Sequence, residues 1–138
     1  MTIRISFDPA EQQLDVIHGF LTTSYWSPGI SRETVARGLA HSIAACAFDG
    51  DAQIGMARVV TDRATMAYLA DVFVLDGYRG RGVARAMLEA LDAHPDLQGL
   101  RRWLLFTRDM HALYARFGWQ ASAHPERMML RENPDAYR

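Results

Sequence analysis

Ile3, Ile5 and Phe7 alternate with Thr2, Arg4 and Ser6 at the start of the chain, the period of two that predicts a half-buried strand. Asp8-Pro9-Ala10-Glu11 then joins a capping acid, a proline at the first helical position and a Glu three residues after the cap, which predicts a helix starting there. Leu14, Ile17 and Leu21, spaced by three and four, form its apolar stripe. Tyr25-Trp26-Ser27-Pro28-Gly29 reads as a loop, and Ser31 as the cap of a second helix carrying Val35 and Leu39. From Ile43 the pattern shifts to short apolar runs. Ile43 to Phe48 and Gln53 to Val60, joined through Asp49-Gly50-Asp51, predict a hairpin. Met66 to Leu75 is apolar at nearly every position except Asp71, as in a strand buried on both faces.

After that strand come Gly77, Gly80 and Gly82, then a helical stripe at Val83, Met87, Leu88 and Leu91 that stops before His94-Pro95. Trp103 to Phe106 predicts another strand, and Leu113, Tyr114 and Phe117 share one face of a helix closed by Gly118. Met128-Met129-Leu130 predicts a last strand, with both methionines in the core. A meander of strands followed by strand–helix alternation predicts a mixed central sheet flanked by helices: α/β, or α+β by stricter usage. No repeat or linker interrupts it, so residues 1–138 read as a single domain.

Composition narrows the function classes. The chain has 138 residues, 49% of them hydrophobic and 22% charged, with a formal net charge of −1. No global basic field exists to hold nucleic acid or an anionic membrane, so neither is expected as a partner. The one cysteine, Cys46, excludes an internal disulfide framework and fits a reducing compartment. No apolar run approaches a membrane span, and a cytoplasmic location is expected. The histidines, His18, His41, His94, His111 and His124, show no ligand spacing, so no metal is expected.

The segment Val72-Phe73-Val74-Leu75-Asp76-Gly77-Tyr78-Arg79-Gly80-Arg81-Gly82-Val83-Ala84 carries the clearest chemistry. A glycine turn between a strand and a helix lets backbone N–H groups approach an anion, and the helix dipole adds roughly half a positive charge. Arg79 and Arg81 can offset a pyrophosphate, while Gly80 and Gly82 keep side chains clear of it. A Walker loop is excluded because the chain has no lysine. A Rossmann fingerprint fits poorly because Arg85 stands where its third glycine belongs.

The segment resembles the acetyl-CoA signature of the GNAT superfamily, R/Q-x-x-G-x-G/A, with Arg79, Gly82 and Ala84 at the defining positions. Leu113-Tyr114-Ala115-Arg116-Phe117-Gly118-Trp119 resembles the family's L-Y-x-x-x-G-F block, with Trp for Phe. The resemblance spans essentially the whole chain and implies a GNAT N-acetyltransferase fold with acetyl-CoA as cosubstrate. It implies that the central strand splays at a bulge, that Phe73 and Val74, with Val72 adjacent, meet the pantetheine arm, and that Arg79, Gly80, Arg81, Gly82, Val83 and Ala84 hold the pyrophosphate. Tyr114 is implied as the acid that protonates the departing thiolate, and a homodimer is a further possibility.

Asp71, in a run similar to that of diamine acetyltransferases, either binds or deprotonates a cationic amine or is satisfied by backbone N–H or an arginine. His111 can share a face with Tyr114, and Asp109 reads as that helix's cap. Tyr25 and Trp26 lie in a loop that the resemblance places beside the acceptor pocket, the alternative being a loop that is simply packed. The expected activity is acetyl transfer to a primary amine of a small molecule or peptide by direct attack. The rival expectations are a protein N-acetyltransferase and a module that binds acyl-CoA without turnover.

Overall fold

The computed structural model describes residues 1–138. Five strands, β1 (Ile3–Ser6), β2 (Ile43–Asp49), β3 (Ala52–Thr61), β4 (Met66–Val74) and β5 (Arg102–Leu105), form one sheet in sequential order. Neighbours from β1 to β4 pair antiparallel, and β5 joins β4 in parallel. Four helices flank it: α1 (Leu14–Leu21), α2 (Arg32–Ala40), α3 (Val83–Ala93) and α4 (His111–Ala115).

Alternation along β2 shows how the sheet holds two cores. Ile43, Ala45 and Ala47 face the cluster built on α3, while Ala44, Cys46 and Phe48 face the cluster built on α1 and α2. Side chains of a strand point alternately to the two faces, so a strand covered on both sides needs a continuous apolar run. Cys46 is buried within the second cluster. Burial pushes its thiol up to about 11, a hydrogen bond with Gln53 opposing and Glu11 adding a smaller upward push. The thiolate is the reactive form, so the native protein is expected to react with a disulfide reagent at pH 8 roughly a hundredfold more slowly than the unfolded chain. Equal rates would contradict the packing of β2.

Several expectations need correction. The first helix does not begin at Pro9: Asp8 caps a single 3-10 turn, Pro9–Glu11, by accepting from the Ala10 N–H at 2.9 Å. Glu11 turns away from a capping box to bond Arg4 and Ser6, and α1 starts only at Leu14. Asp109 caps nothing; α4 starts after Met110, whose N–H is taken by the Thr107 hydroxyl. Met128-Met129-Leu130 is not a strand, and its methionines are not core. It follows a 3-10 turn, Pro125–Arg127, makes no backbone hydrogen bond to β5, and leaves Met129 93% exposed. Three apolar residues with no alternating polar partners specify no pairing register. The short strand β5 ends at Leu105, leaving Phe106 exposed beyond it.

β4 is also less buried than its composition predicts, with only Ala67, Leu69 and Phe73 fully covered. Its pairing with β5 runs from Met66 opposite Arg102 to Leu69 opposite Leu105 and ends there. Beyond Leu69, β4 continues with β3 on one side and a gap on the other.

Candidate active site

A bulge creates the site. Arg58 on β3 pairs with Ala70 on β4 and Met56 pairs with Phe73, so one β3 residue, Ala57, stands opposite two on β4, Asp71 and Val72. An extra residue inverts the alternation. Before it, Ala67 and Leu69 face the α3 cluster; after it, Val72 and Val74 do. Asp71 is the residue inserted, with φ +52, a left-handed conformation that Asp tolerates better than most L residues.

Backbone direction follows from one bond. The Leu75 N–H donates to the Ile54 carbonyl at 2.9 Å, so Phe73, two residues back, also turns its backbone toward β3. Gly55 confirms the approach, because a Cβ there would lie 2.8 Å from the Phe73 carbonyl oxygen. Val72 and Val74 therefore turn their N–H and C=O groups toward the gap. The Val74 carbonyl accepts from Arg79 Nε at 3.1 Å. Phe73 contributes its ring instead, stacked on Phe20 at 4.3 Å.

The glycine loop ends at Gly82, the N-cap of α3, with φ +80. A glycine cap has no side chain to take the helix's first amides. The first intrahelical bond runs from the Ala86 N–H to the Gly82 carbonyl, leaving Val83, Ala84 and Arg85 N–H groups ahead of it. Gly80 is also left-handed at φ +76, and no protein atom lies within 4 Å of where a Cβ would stand on either glycine. Arg79 pairs with Asp76 at 3.0 Å, and Arg81 stands over the Tyr78 ring. Open amides, open space and two exposed arginines fit the diphosphate of a coenzyme A cosubstrate.

A cleft of about 610 Å³ lies along the gap, lined among others by Tyr25, Trp26, Asp71, Val72 and Tyr114. Four of these were singled out in the sequence for acceptor binding or proton transfer, and the fold brings them together. The loop Arg79–Ala84 lies outside this lining, at the α3 end of the same splayed strand. Tyr114 is buried to 9% exposure, but its hydroxyl bonds no protein group, and no buried side-chain polar atom in the chain lacks a partner. The hydroxyl therefore opens to the cleft. Burial, with a smaller contribution from Tyr25, raises its pKa above the ordinary tyrosine value, so it holds its proton throughout the neutral range. His111 is exposed on the same short helix, and no three His, Cys, Asp or Glu side chains gather for a metal ion.

Asp71 is heavily engaged. Its Oδ2 accepts from Arg58 Nε at 2.7 Å and its Oδ1 from Trp26 Nε1 at 2.8 Å, while Arg58 Nη1 also reaches Ser42 Oγ at 3.1 Å. The ion-paired side chains are 20% and 11% exposed. Arg58 is a neighbour of the candidate site that the sequence reading does not single out, although a signal exists: it is the single charge in the apolar run of β3, as Asp71 is in β4. Asp71→Asn keeps the shape and the left-handed tolerance but leaves the guanidinium unpaired. Hydrogen bonds to charged groups contribute ~1.5–3 kcal/mol, so a stability loss of that order is expected in denaturant titration. A double-mutant cycle with Arg58→Met should recover part of it; strictly additive losses would show that the pair is not coupled.

A family model for the acetyltransferase (GNAT) domain matches residues 40–121, more than half of the chain. A Gibberella zeae protein named "Putative acetyltransferase FG08082" is 30% identical over 135 residues, covering 81% of this chain and 75% of that protein. A crystal structure described as a "putative acetyltransferase belonging to the gnat family", from Xanthomonas campestris pv. campestris, superposes with a TM-score of 0.96 at 41% identity, covering 99% of this chain and 97% of that one. A GNAT-family acetyltransferase from Streptococcus pneumoniae superposes with a TM-score of 0.72 at 26% identity, over 96% and 98% of the two chains. With the bulged β4, the open α3 amides and the cleft-facing tyrosine already in place, these similarities establish that the chain belongs to the GNAT acetyltransferase family.

Proposed function

We propose that the protein transfers the acetyl group of acetyl-CoA to a primary amine of a small molecule, with both substrates bound together. The observation that carries this reading is the meeting, in one cleft, of Val72 at the bulge, Asp71 and the Tyr114 hydroxyl. The cosubstrate supplies an activated acetyl thioester. The α3 amides at Val83 and Ala84, with Arg79 and Arg81, would hold its diphosphate. The inward-turned backbone of Val72 and Val74 would align its arm along β4, and the Val74 N–H would receive developing oxyanion charge. Tyr114 is a phenol kept protonated by burial; it would give its proton to the departing thiolate and be reprotonated by the proton that the amine nitrogen loses on forming the amide, so the transfer balances.

Asp71 enters this scheme as a positioning group rather than the base, because both of its oxygens already bond protein donors. It fixes the bulge to Trp26 and Arg58. A module that only senses acyl-CoA has no use for an acid opening on the cleft, so the catalytic reading is favoured over it. No helix is long and apolar enough to cross a membrane; the cytoplasmic location is proposed on the lone cysteine, which fits a reducing compartment. Thiol release from acetyl-CoA across a panel of small amines and peptides tests the proposal. Amine-dependent release that saturates with a small amine supports it; release only with peptides, or none above the hydrolytic background, contradicts it.

A further inference from the structure

Exposed apolar surface is unevenly spread over this protein. Ten large apolar side chains stand exposed, and six of them, Tyr25, Trp26, Phe106, Met110, Leu130 and Tyr137, line the cleft at the β4–β5 gap. Isolated exposed apolar residues need no explanation, but their convergence on one concave site does. The cleft volume, about 610 Å³, is that of a small-molecule site.

The aromatic walls are held in place by their own packing. Tyr25 and Trp26 meet edge to face at 5.1 Å, and Trp26 lies 6.0 Å from Phe20, which stacks on buried Phe73. Across the gap, Tyr68 and Phe106 form a second edge-to-face pair at 5.8 Å. Arg108 lies 3.9 Å over the Tyr25 ring, so that face is already covered by a cation.

The charges in the cleft narrow the choice further. They are Arg58, Asp71, Arg108, Asp109 and Glu132. Asp71 is committed to Arg58, and Asp109 lies 3.8 Å from Arg108. Glu132 lies in the same C-terminal segment as Leu130 and Tyr137, is exposed and makes no ion pair. Of the three carboxylates in the cleft only the exposed Glu132 has no cationic partner, whereas flat apolar surface is abundant.

We infer that the acceptor is a primary amine carried on a planar aromatic body, of the arylalkylamine class, rather than a polyamine or an amino sugar. The inference rests on the acetyltransferase reading above, since the amine must reach the Tyr114 end of the cleft. Aromatic rings favour offset or edge-on contact with one another, and both aromatic pairs line the same cleft.

Two measurements separate this inference from the reading it rests on. The first is kcat/KM for 2-phenylethylamine and tryptamine against putrescine, spermidine and glucosamine. The arylalkylamines should exceed the others by at least about tenfold, the scale on which apolar pockets discriminate. Higher or equal values for the polyamines or the amino sugar would overturn the inference, as would a preference for peptides with an aromatic first residue over the free amines. The second is calorimetric binding of tryptamine and of spermidine to the CoA-saturated protein, which needs no turnover. Tryptamine should bind at least about tenfold more tightly, and Phe106→Ser and Tyr25→Ser should each weaken tryptamine severalfold while CoA affinity stays constant. Selective binding without transfer would refute the acetyltransferase reading while leaving the cleft's preference for an arylalkylamine ligand standing; unselective binding would refute the inference itself.

Discussion

Tyr114→Phe should lower kcat for acetyl transfer by roughly 10²–10⁴-fold, the usual contribution of a positioned general acid. The ring packs near Trp119 at 6.2 Å and sits within the α3-face core, and phenylalanine keeps that packing. The hydroxyl bonds no protein atom, so its removal strands no buried partner and stability should change little. Acetyl-CoA affinity should also hold, because the proton matters only once charge grows on sulfur. The pH profile gives a second check. Burial raises the Tyr114 pKa, so wild-type kcat should not fall through loss of this proton until the pH exceeds the ordinary tyrosine range. A basic limb at pH 7 to 8 that vanishes in Tyr114→Phe would contradict the assigned direction. Single-turnover rates equal to wild type would remove Tyr114 from the chemistry.

Gly82→Val is expected to weaken acetyl-CoA binding at least about tenfold. Gly82 stands at φ +80 with nothing within 4 Å of the point a Cβ would occupy, so valine meets no protein clash; its costs are the left-handed backbone, ~1–2 kcal/mol, and two methyl groups where the α3 amides must be approached. Gly99 provides a matched control, being left-handed at φ +69 with equally open space, but beyond the other end of α3. Gly99→Val should lose a similar amount of stability and no acetyl-CoA affinity. If calorimetry shows both variants binding alike, the diphosphate does not sit at the start of α3.

What the chain reveals about itself depends on how local the cause is. The hairpin of β2 and β3, α2 behind Ser31 and α3 behind Gly82 are legible because alternation, capping and helical stripes act over a few residues. The Tyr114 helix is found for the same reason. The start of α1 and the fate of Met128 to Leu130 are not, because the first depends on Glu11 turning to Arg4 and Ser6, and the second on whether a sheet edge is within reach.

The site follows the same division. The glycine loop announces itself by its spacing. Asp71 stands out as a charge among apolar residues, but its partner does not: Arg58 lies thirteen residues away on the neighbouring strand, and only the register brings them together. The bulge itself is invisible in the letters, since it requires counting two residues of β4 against one of β3. Phe106, Arg108 and Tyr137 join the cleft from separate stretches of chain, each carrying no pattern alone.

The most direct measurement is a single turnover: stoichiometric acetyl-CoA and protein are mixed with an excess of an accepted amine, and all species are weighed by mass spectrometry. The account predicts one N-acetylated amine and one free CoA per acetyl-CoA consumed, with the protein mass unchanged at every time point, because Cys46 is buried and its thiol pushed up to about 11. A transient acetylated protein that then passes its group to the amine, or CoA release without any acetylated amine, would contradict it.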